Sequence, residues 1–506
     1  MQGTNIVMLA ARLVAAILFA GSALNPAEPA DGLTVYKSGD YERAIPLLQA
    51  AASKTPNDPL IRAALLSSLV YQGRVDEAAD AAAGDERDFP KSPEVIAARG
   101  EFAFYMGDVY TAEKLFNTAI KMKPETPRAV FGLYRLYRAA SMYRTARMRC
   151  LLAHQIDPDD ALITRAFIRY LTPEKRNEMF DAFAESHPWF YQHLERDRET
   201  DVEVKHEVSG RRFFELVGER KEITVPLTPL LPTPNHETGF LVALRLENGH
   251  TLRMQLDTGA SGILVRQNAV DKAELAHLGS SEEWGIGDAG TRKTFMAIAG
   301  TCEIGGLTFK TCPIEATEGK KRVAGDEDGL LGTDIFSGYL VEIDFQKSKL
   351  HLIPQPPREP NAQGYDREIP PEEKGFTPVY RFGHQLMVPT ALNAKIPGLF
   401  LIDTGATMST VDPTFARLAT KIHGDAFTRV RGVSGEVKNV FQVDDAIIQF
   451  GGFRQRNIGL MSFNLNNSPE HEEVRMDGIL GFAVLRMFRL TLDYRNGLVN
   501  FEYVTK

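Results

Sequence analysis

Two stretches decide the reading of this chain: LRMQLDTGAS at residues 252–261 and LFLIDTGATM at residues 399–408. Each is an apolar run that ends in Asp-Thr-Gly-Ala, at Asp257 and at Asp403, followed by Ser261 or Thr407. A lone Asp-Thr-Gly is an ordinary turn. Here the pair keeps step with other landmarks. The Gly-rich stretch Gly287-Asp288-Ala289-Gly290 begins 30 residues after Asp257, and Gly432-Val433-Ser434-Gly435 begins 29 after Asp403. Gly305 and Gly451 each lie 48 residues beyond their aspartate. Asp328-Gly329-Leu330-Leu331-Gly332 is matched by Asp477-Gly478-Ile479-Leu480-Gly481, and VEIDF (341–345) by LTLDY (490–494). Such shared order makes the C-terminal region a duplication.

The texture of that region is all-β. Short β-branched and aromatic runs such as GFLVALRL, YLVEIDF, AIIQF and LVNFEY alternate with Gly turns from about residue 207 onward. A Pro-rich segment, 354–375, separates a first half (207–353) from a second (376–506). The paired DTGA motifs, each followed by a hydrophobic-hydrophobic-Gly motif, resemble the signature of retropepsin-like and pepsin-like aspartic peptidases over roughly residues 210 to 506. The resemblance implies a bilobal acid-protease β-barrel pseudo-dimer with one active site between its halves. It also implies that Thr258 and Thr404 lock the two loops through hydroxyl–backbone hydrogen bonds. Leu330-Leu331-Gly332 and Ile479-Leu480-Gly481 are then expected to pack beneath those loops.

The chemistry explains why two copies are needed. Peptide hydrolysis without a metal or a covalent nucleophile requires a base for water and an acid for the carbonyl oxygen. Two carboxyl groups about 3 Å apart cannot both ionise, so they share a proton and supply both roles. Asp257 and Asp403 are the candidate catalytic residues, no cofactor or metal is expected, and the activity implied is that of an aspartic endopeptidase. Gly259 and Gly405 allow the loops to turn sharply and offer N–H groups to the carboxylates. Ala260 and Ala406 stand where the pepsin-like group often has Ser. Without that hydroxyl donor the pH optimum is expected to be less acidic. Gly287 and Gly290, with Gly432 and Gly435, are read as two substrate-covering flaps, with Trp284 beside the first. The literal GxGxxG at 285–290 lies in an all-β context and lacks the following helix that a dinucleotide fingerprint requires.

Upstream lies a helical repeat. Gly39, Gly73 and Gly107 recur every 34 residues with Ser141 in the next slot, and Ala44, Ala78, Ala112 and Ala146 keep phase with them. Pro56, Pro90, Pro124 and Pro158 do the same. The small residue permits a tight turn, the Ala close helix packing, and the Pro a stop. The pattern resembles the tetratricopeptide repeat, in about four copies over residues 30–161. Such a solenoid implies a protein partner on its surface, or a brace for a neighbouring domain. Residues 162–206 are expected to form capping helices and a linker.

The remaining sequence sets boundaries. A formal charge of -8 with no basic clusters gives no support to nucleic-acid binding. Residues 1–25 carry Arg12, the apolar run LVAAILFA and small residues, the layout of a signal peptide. The expectation is export, periplasmic or secreted, with an uncleaved membrane anchor as the competing reading. Three cysteines make no disulfide framework. Across a two-residue hairpin loop Cys302 would face Phe309 rather than Cys312, so a bond between the two cysteines is not the natural pairing, and export leaves it open. Cys150 is read as packing, and the histidines as surface or structural. Two halves on one chain favour a monomer. An exported scaffold that binds peptides without cutting them is the alternative function.

Overall fold

The computed structural model describes residues 31–190, 212–283, 285–318, 327–358, 364–425, 427–467 and 473–504. The proposed leader at residues 1–25 and Trp284 therefore lie outside the described residues. No described helix is long and apolar enough to cross a membrane.

Among the described residues ten α-helices come first. They pair as α1 (Gly32–Lys37) with α2 (Tyr41–Lys54), α3 (Pro59–Tyr71) with α4 (Val75–Asp88), and α5 (Pro93–Tyr105) with α6 (Val109–Met122). The series ends with α7 (Pro127–Ala139) and α8 (Tyr143–Ile156), then α9 (Ala161–Ile168) and α10 (Pro173–Ser186). The periodic residues act as their chemistry demands. Gly39, Gly73 and Gly107 turn each pair at φ of 81°, 65° and 71°, and Ser141 adopts φ 59° in the same slot. Ala44, Ala78, Ala112 and Ala146 are fully buried between helices. The ends of the series meet across the groove. Lys37 pairs with Asp157 at 2.9 Å, and the Trp189 indole N–H donates to the Ser38 carbonyl at 3.0 Å.

The β region is two related sheets joined by a third. In the first half, Gly329–Gly332 runs parallel to Thr251–Asp257, with Gly332 opposite Asp257. In the second, Gly478–Leu480 runs parallel to Ile396–Ile402, with Leu480 opposite Ile402. The motif that resembles the peptidases is thus the central strand pair of each half. The third sheet is shared: Tyr339–Asp344 pairs antiparallel with Phe488–Asp493, Val341 opposite Leu492. The two matched segments VEIDF and LTLDY are therefore neighbours across a pseudo-twofold axis. The described residues Tyr365 and Asp366 of the proline-rich connection dock on the helical region. Asp366 accepts from the Thr145 backbone and hydroxyl at 2.9 Å each, and Arg144 N–H donates to the Tyr365 carbonyl.

The open question of the two cysteines is answered. Cys302 does lie opposite Phe309, yet it is bonded to Cys312. Along both strands the buried positions shift phase by one across the Gly300/Thr311 step, where Thr311 takes φ 52°. That shift turns both sulfurs to the core. The alternation rule fails because it assumes an unbroken pleat. Cys150 is buried, and burial pushes its thiol up to about 12.

Ser141 is the irregular member of the glycine series, a non-glycine residue in left-handed backbone whose buried hydroxyl has no hydrogen-bond partner among the described residues. Ser141→Gly is expected to stabilise the protein by about 1 kcal/mol, since it relieves the Cβ strain and removes the orphan hydroxyl. Urea denaturation of the full chain checks this.

Candidate active site

The two apolar strands deliver Asp257 and Asp403 to the floor between the halves, both buried. Each carboxyl group lies against the glycine of the opposite loop, Asp403 against Gly259 and Asp257 against Gly405, so the two face one another. Two interleaved loops hold them there. The Thr258 hydroxyl donates to the Ile402 carbonyl at 2.7 Å and accepts from Thr404 N–H at 3.0 Å. Reciprocally, the Thr404 hydroxyl donates to the Leu256 carbonyl at 2.9 Å and accepts from Thr258 N–H at 3.1 Å. Each threonine thus reaches into the other half's strand, so neither aspartate can shift without breaking bonds to both halves.

Glycine next to each aspartate is a matter of space. A Cβ on Gly259 would stand 2.7 Å from the Asp403 carboxyl carbon, and one on Gly405 would collide with the Asp257 carboxyl. The freed backbone donates instead. Gly259 N–H reaches Asp257 at 2.8 Å, and Gly405 and Ala406 N–H reach Asp403 at 2.8 and 2.9 Å. Beneath them Leu331 and Leu480 are fully buried. Gly332 N–H donates to the Gly262 carbonyl at 2.7 Å and Gly481 N–H to the Ser409 hydroxyl at 3.1 Å. Burial first, and the neighbouring Asp403 charge second, hold the Asp257 carboxyl well above the usual carboxylate range. Burial also raises Asp403, opposed by the backbone donors of Ala406 and Gly405.

Both Gly-rich stretches are hairpin tips. The first joins strands His277–Glu283 and Arg292–Ile304, the second joins Arg431–Gly432 and Gly435–Glu436. They meet. Ser434 N–H donates to the Ile286 carbonyl at 2.9 Å, Ala289 N–H to the Ser434 carbonyl at 3.0 Å, and Gly285 N–H to the Ser434 hydroxyl at 2.9 Å. Gly287 and Gly432 sit at this crossing, where a Cβ on either would strike the opposite tip. Gly290 and Gly435 make the turns at φ 77° and 96°.

Several contributors were not singled out in the sequence. The Asp288 carboxylate, on the first tip, accepts Lys438 N–H at 2.7 Å and the Asn467 amide at 3.0 Å, tying the hairpin to the second half. Asp334 accepts from Gly262 N–H and the Ser261 hydroxyl at 3.0 Å each and so braces the first Asp-Thr-Gly loop. Its place just after Gly332 was the available signal. His384, half-buried, approaches the Gly259 carbonyl at 3.0 Å through Nε2, and burial lowers its pKa. Nothing in its sequence context distinguishes it. A cavity of about 870 Å³ lies apart from the dyad, between the solenoid (Gln72, Tyr105), the first hairpin tip (Gly287, Asp288) and the second half (Lys438, Arg475).

Comparison with known proteins agrees with this architecture. Residues 242–335 and 388–484 match the family described as aspartyl protease, and residues 35–101 match a tetratricopeptide repeat family. Among curated proteins none matches the chain. Among solved structures, an aspartic proteinase from Irpex lacteus is 15% identical, covers 56% of this chain and 98% of its own, and gives a TM-score of 0.36.

The raised carboxyls and the alanines after each glycine make a pH prediction. The singly protonated pair spans a window above the ordinary carboxylate range, so activity is expected to extend toward neutral pH. A hydroxyl placed by Ala406→Ser would donate to the ionised form, lower the pKa and move the pH–rate profile toward acid. A wild-type profile peaking at about pH 2 to 3 contradicts this account.

Proposed function

We propose that this chain, a repeat solenoid joined to two segments of aspartyl protease type, is an endopeptidase that hydrolyses peptide bonds with a water held between Asp257 and Asp403. The observation that carries the reading is the buried pair of facing carboxyl groups, held by four threonine–backbone bonds between the halves. A pair of raised carboxyls in contact keeps one proton where isolated ones would have lost both.

The chemistry follows from that proton. The ionised member removes a proton from water as its oxygen attacks the peptide carbonyl carbon, and the protonated member gives its proton to the carbonyl oxygen. The tetrahedral diol collapses with proton transfer to nitrogen and cleavage of the C–N bond, leaving the pair with one shared proton again. An extended substrate lies between the halves beneath the joined hairpins and pairs with them through main-chain hydrogen bonds, as an added strand would. The joined tips at Ile286 and Ser434 must part to admit it.

The reading also puts the chain in an exported compartment, periplasmic or secreted. Its support is the leader-like composition of residues 1–25 and the Cys302–Cys312 bond, since disulfides persist in oxidising surroundings. Both aspartates come from one chain, which supports a monomer. The match to a tetratricopeptide repeat family supports a protein-binding role for the solenoid.

Asp257→Asn and Asp403→Asn are each expected to lower cleavage by about 10⁴-fold or more while the fold persists. Removing one buried carboxyl relieves repulsion, so neither substitution should lower stability near neutral pH. Proteome-derived peptides digested with wild type and variants provide the assay. Equal absence of cleavage, with peptide binding retained, would identify a non-catalytic scaffold instead.

A further inference from the structure

The duplication allows one half to serve as the control for the other. Asp328 and Asp477 open the two matched motifs and do the same local job. Asp328 accepts Arg253 N–H at 2.9 Å, and Asp477 accepts Leu399 N–H at 2.9 Å, each four residues before its catalytic aspartate. Their surroundings differ. Asp328 is partly exposed, whereas Asp477 is fully buried. The strand positions differ in the same sense: Arg253 and Gln255 in the first half are replaced by Leu399 and Leu401 in the second, both buried. A strand that is apolar on both faces is covered on both faces.

The cover is the solenoid. Ile96, Phe104, Val109, Phe116 and Leu133 form one apolar cluster with Leu399, Leu401, Phe463, Met476 and Ile479. The turn after α5 seats on the motif itself. The Tyr105 carbonyl accepts Arg475 N–H at 2.8 Å. A Cβ on Gly107 would collide with the Asp477 carboxylate and stand 2.9 Å from the Leu399 nitrogen. On α7, Arg138 pairs with the Glu473 carboxylate at 2.5 Å and Arg135 donates to the Glu473 carbonyl at 2.6 Å. The rest of that face is filled from within. Arg128 lies over the Tyr36 ring at 4.6 Å and bonds Asp160 at 2.7 Å, and Arg135 bonds the Tyr71 hydroxyl at 2.8 Å.

We infer that the repeat domain is a positioning element of the active site, and that the protein it binds on this face is the chain's own second half. The connection to the chemistry is short. From Asp477 the strand runs Gly478-Ile479-Leu480, and the Leu480 carbonyl accepts Asp403 N–H at 3.1 Å. Displacing the Gly107 turn shifts Asp477 and Leu399, the two ends of the strand pair that carries Asp403. The inference deepens the proposed activity and rests on it for its kinetic arm alone.

Gly73 and Gly107 occupy the same slot of successive repeats with similar backbone, but a Cβ on Gly73 meets only the Tyr105 hydroxyl, at 3.4 Å. Gly73→Ala and Gly107→Ala in the full chain therefore strain the solenoid alike and differ in the contact with the second half. Gly107→Ala is expected to lower kcat at least tenfold below Gly73→Ala and to speed hydrogen exchange at Gly405 and Ala406, the amides that hold Asp403. Arg138→Glu is expected to speed the same amides, and adding Glu473→Arg to restore them. Equal behaviour of the two glycine variants in exchange, or a charge reversal that leaves Gly405 and Ala406 unchanged, overturns the inference. If wild type cleaves nothing, the exchange arm still decides, and the failure belongs to the proposed activity.

Discussion

The structure depends on two carboxyl groups being kept in contact where water is largely excluded. Left alone, buried like charges separate or draw in solvent, because desolvation and repulsion both act against ionisation. Asp257 and Asp403 cannot separate, because each sits one residue before a threonine whose hydroxyl and N–H are bonded into the opposite half. The strain of the pair is thereby shifted from geometry to protonation. The site stays put, and burial holds both carboxyls above the usual carboxylate range.

The frame around the dyad is symmetric near the centre and less so with distance. The DTGA loops, the strands beneath them and the shared sheet repeat almost residue for residue. The hairpins already differ: the first is long, with strands His277–Glu283 and Arg292–Ile304, and the second a short ribbon of two-residue strands. Further out one half faces solvent at Arg253 while the other carries the solenoid over Leu399. The centre has little freedom to diverge, since both halves contribute equally to one proton-sharing pair. The periphery is free to acquire different neighbours.

Much of this was legible in the sequence for identifiable reasons. Repeat slots such as Gly107 and Ala112 answer to local sterics, and the DTGA motifs answer to a geometry that only those residues satisfy. What escaped depended on long-range placement. His384 meets Gly259 across 125 positions, and Asp288 meets Lys438 across 150, with nothing local to mark either. The cysteine pair stayed open because the phase shift at Thr311 has no reliable signature. The docking of the solenoid left a trace that is readable in hindsight, the uninterrupted apolar run LFLID against the alternating LRMQLD.

The shared proton is the centre of the account, and infrared spectroscopy detects it without substrate. The carboxyl difference spectrum of wild type minus the Asp257→Asn/Asp403→Asn double variant at pH 6 should contain the stretching band of a protonated carboxyl, because the double variant removes both members of the pair and the proton they share. A difference made only of ionised carboxylate bands would mean that both aspartates are charged in the folded protein, and the description of the site as a proton-sharing pair would be wrong.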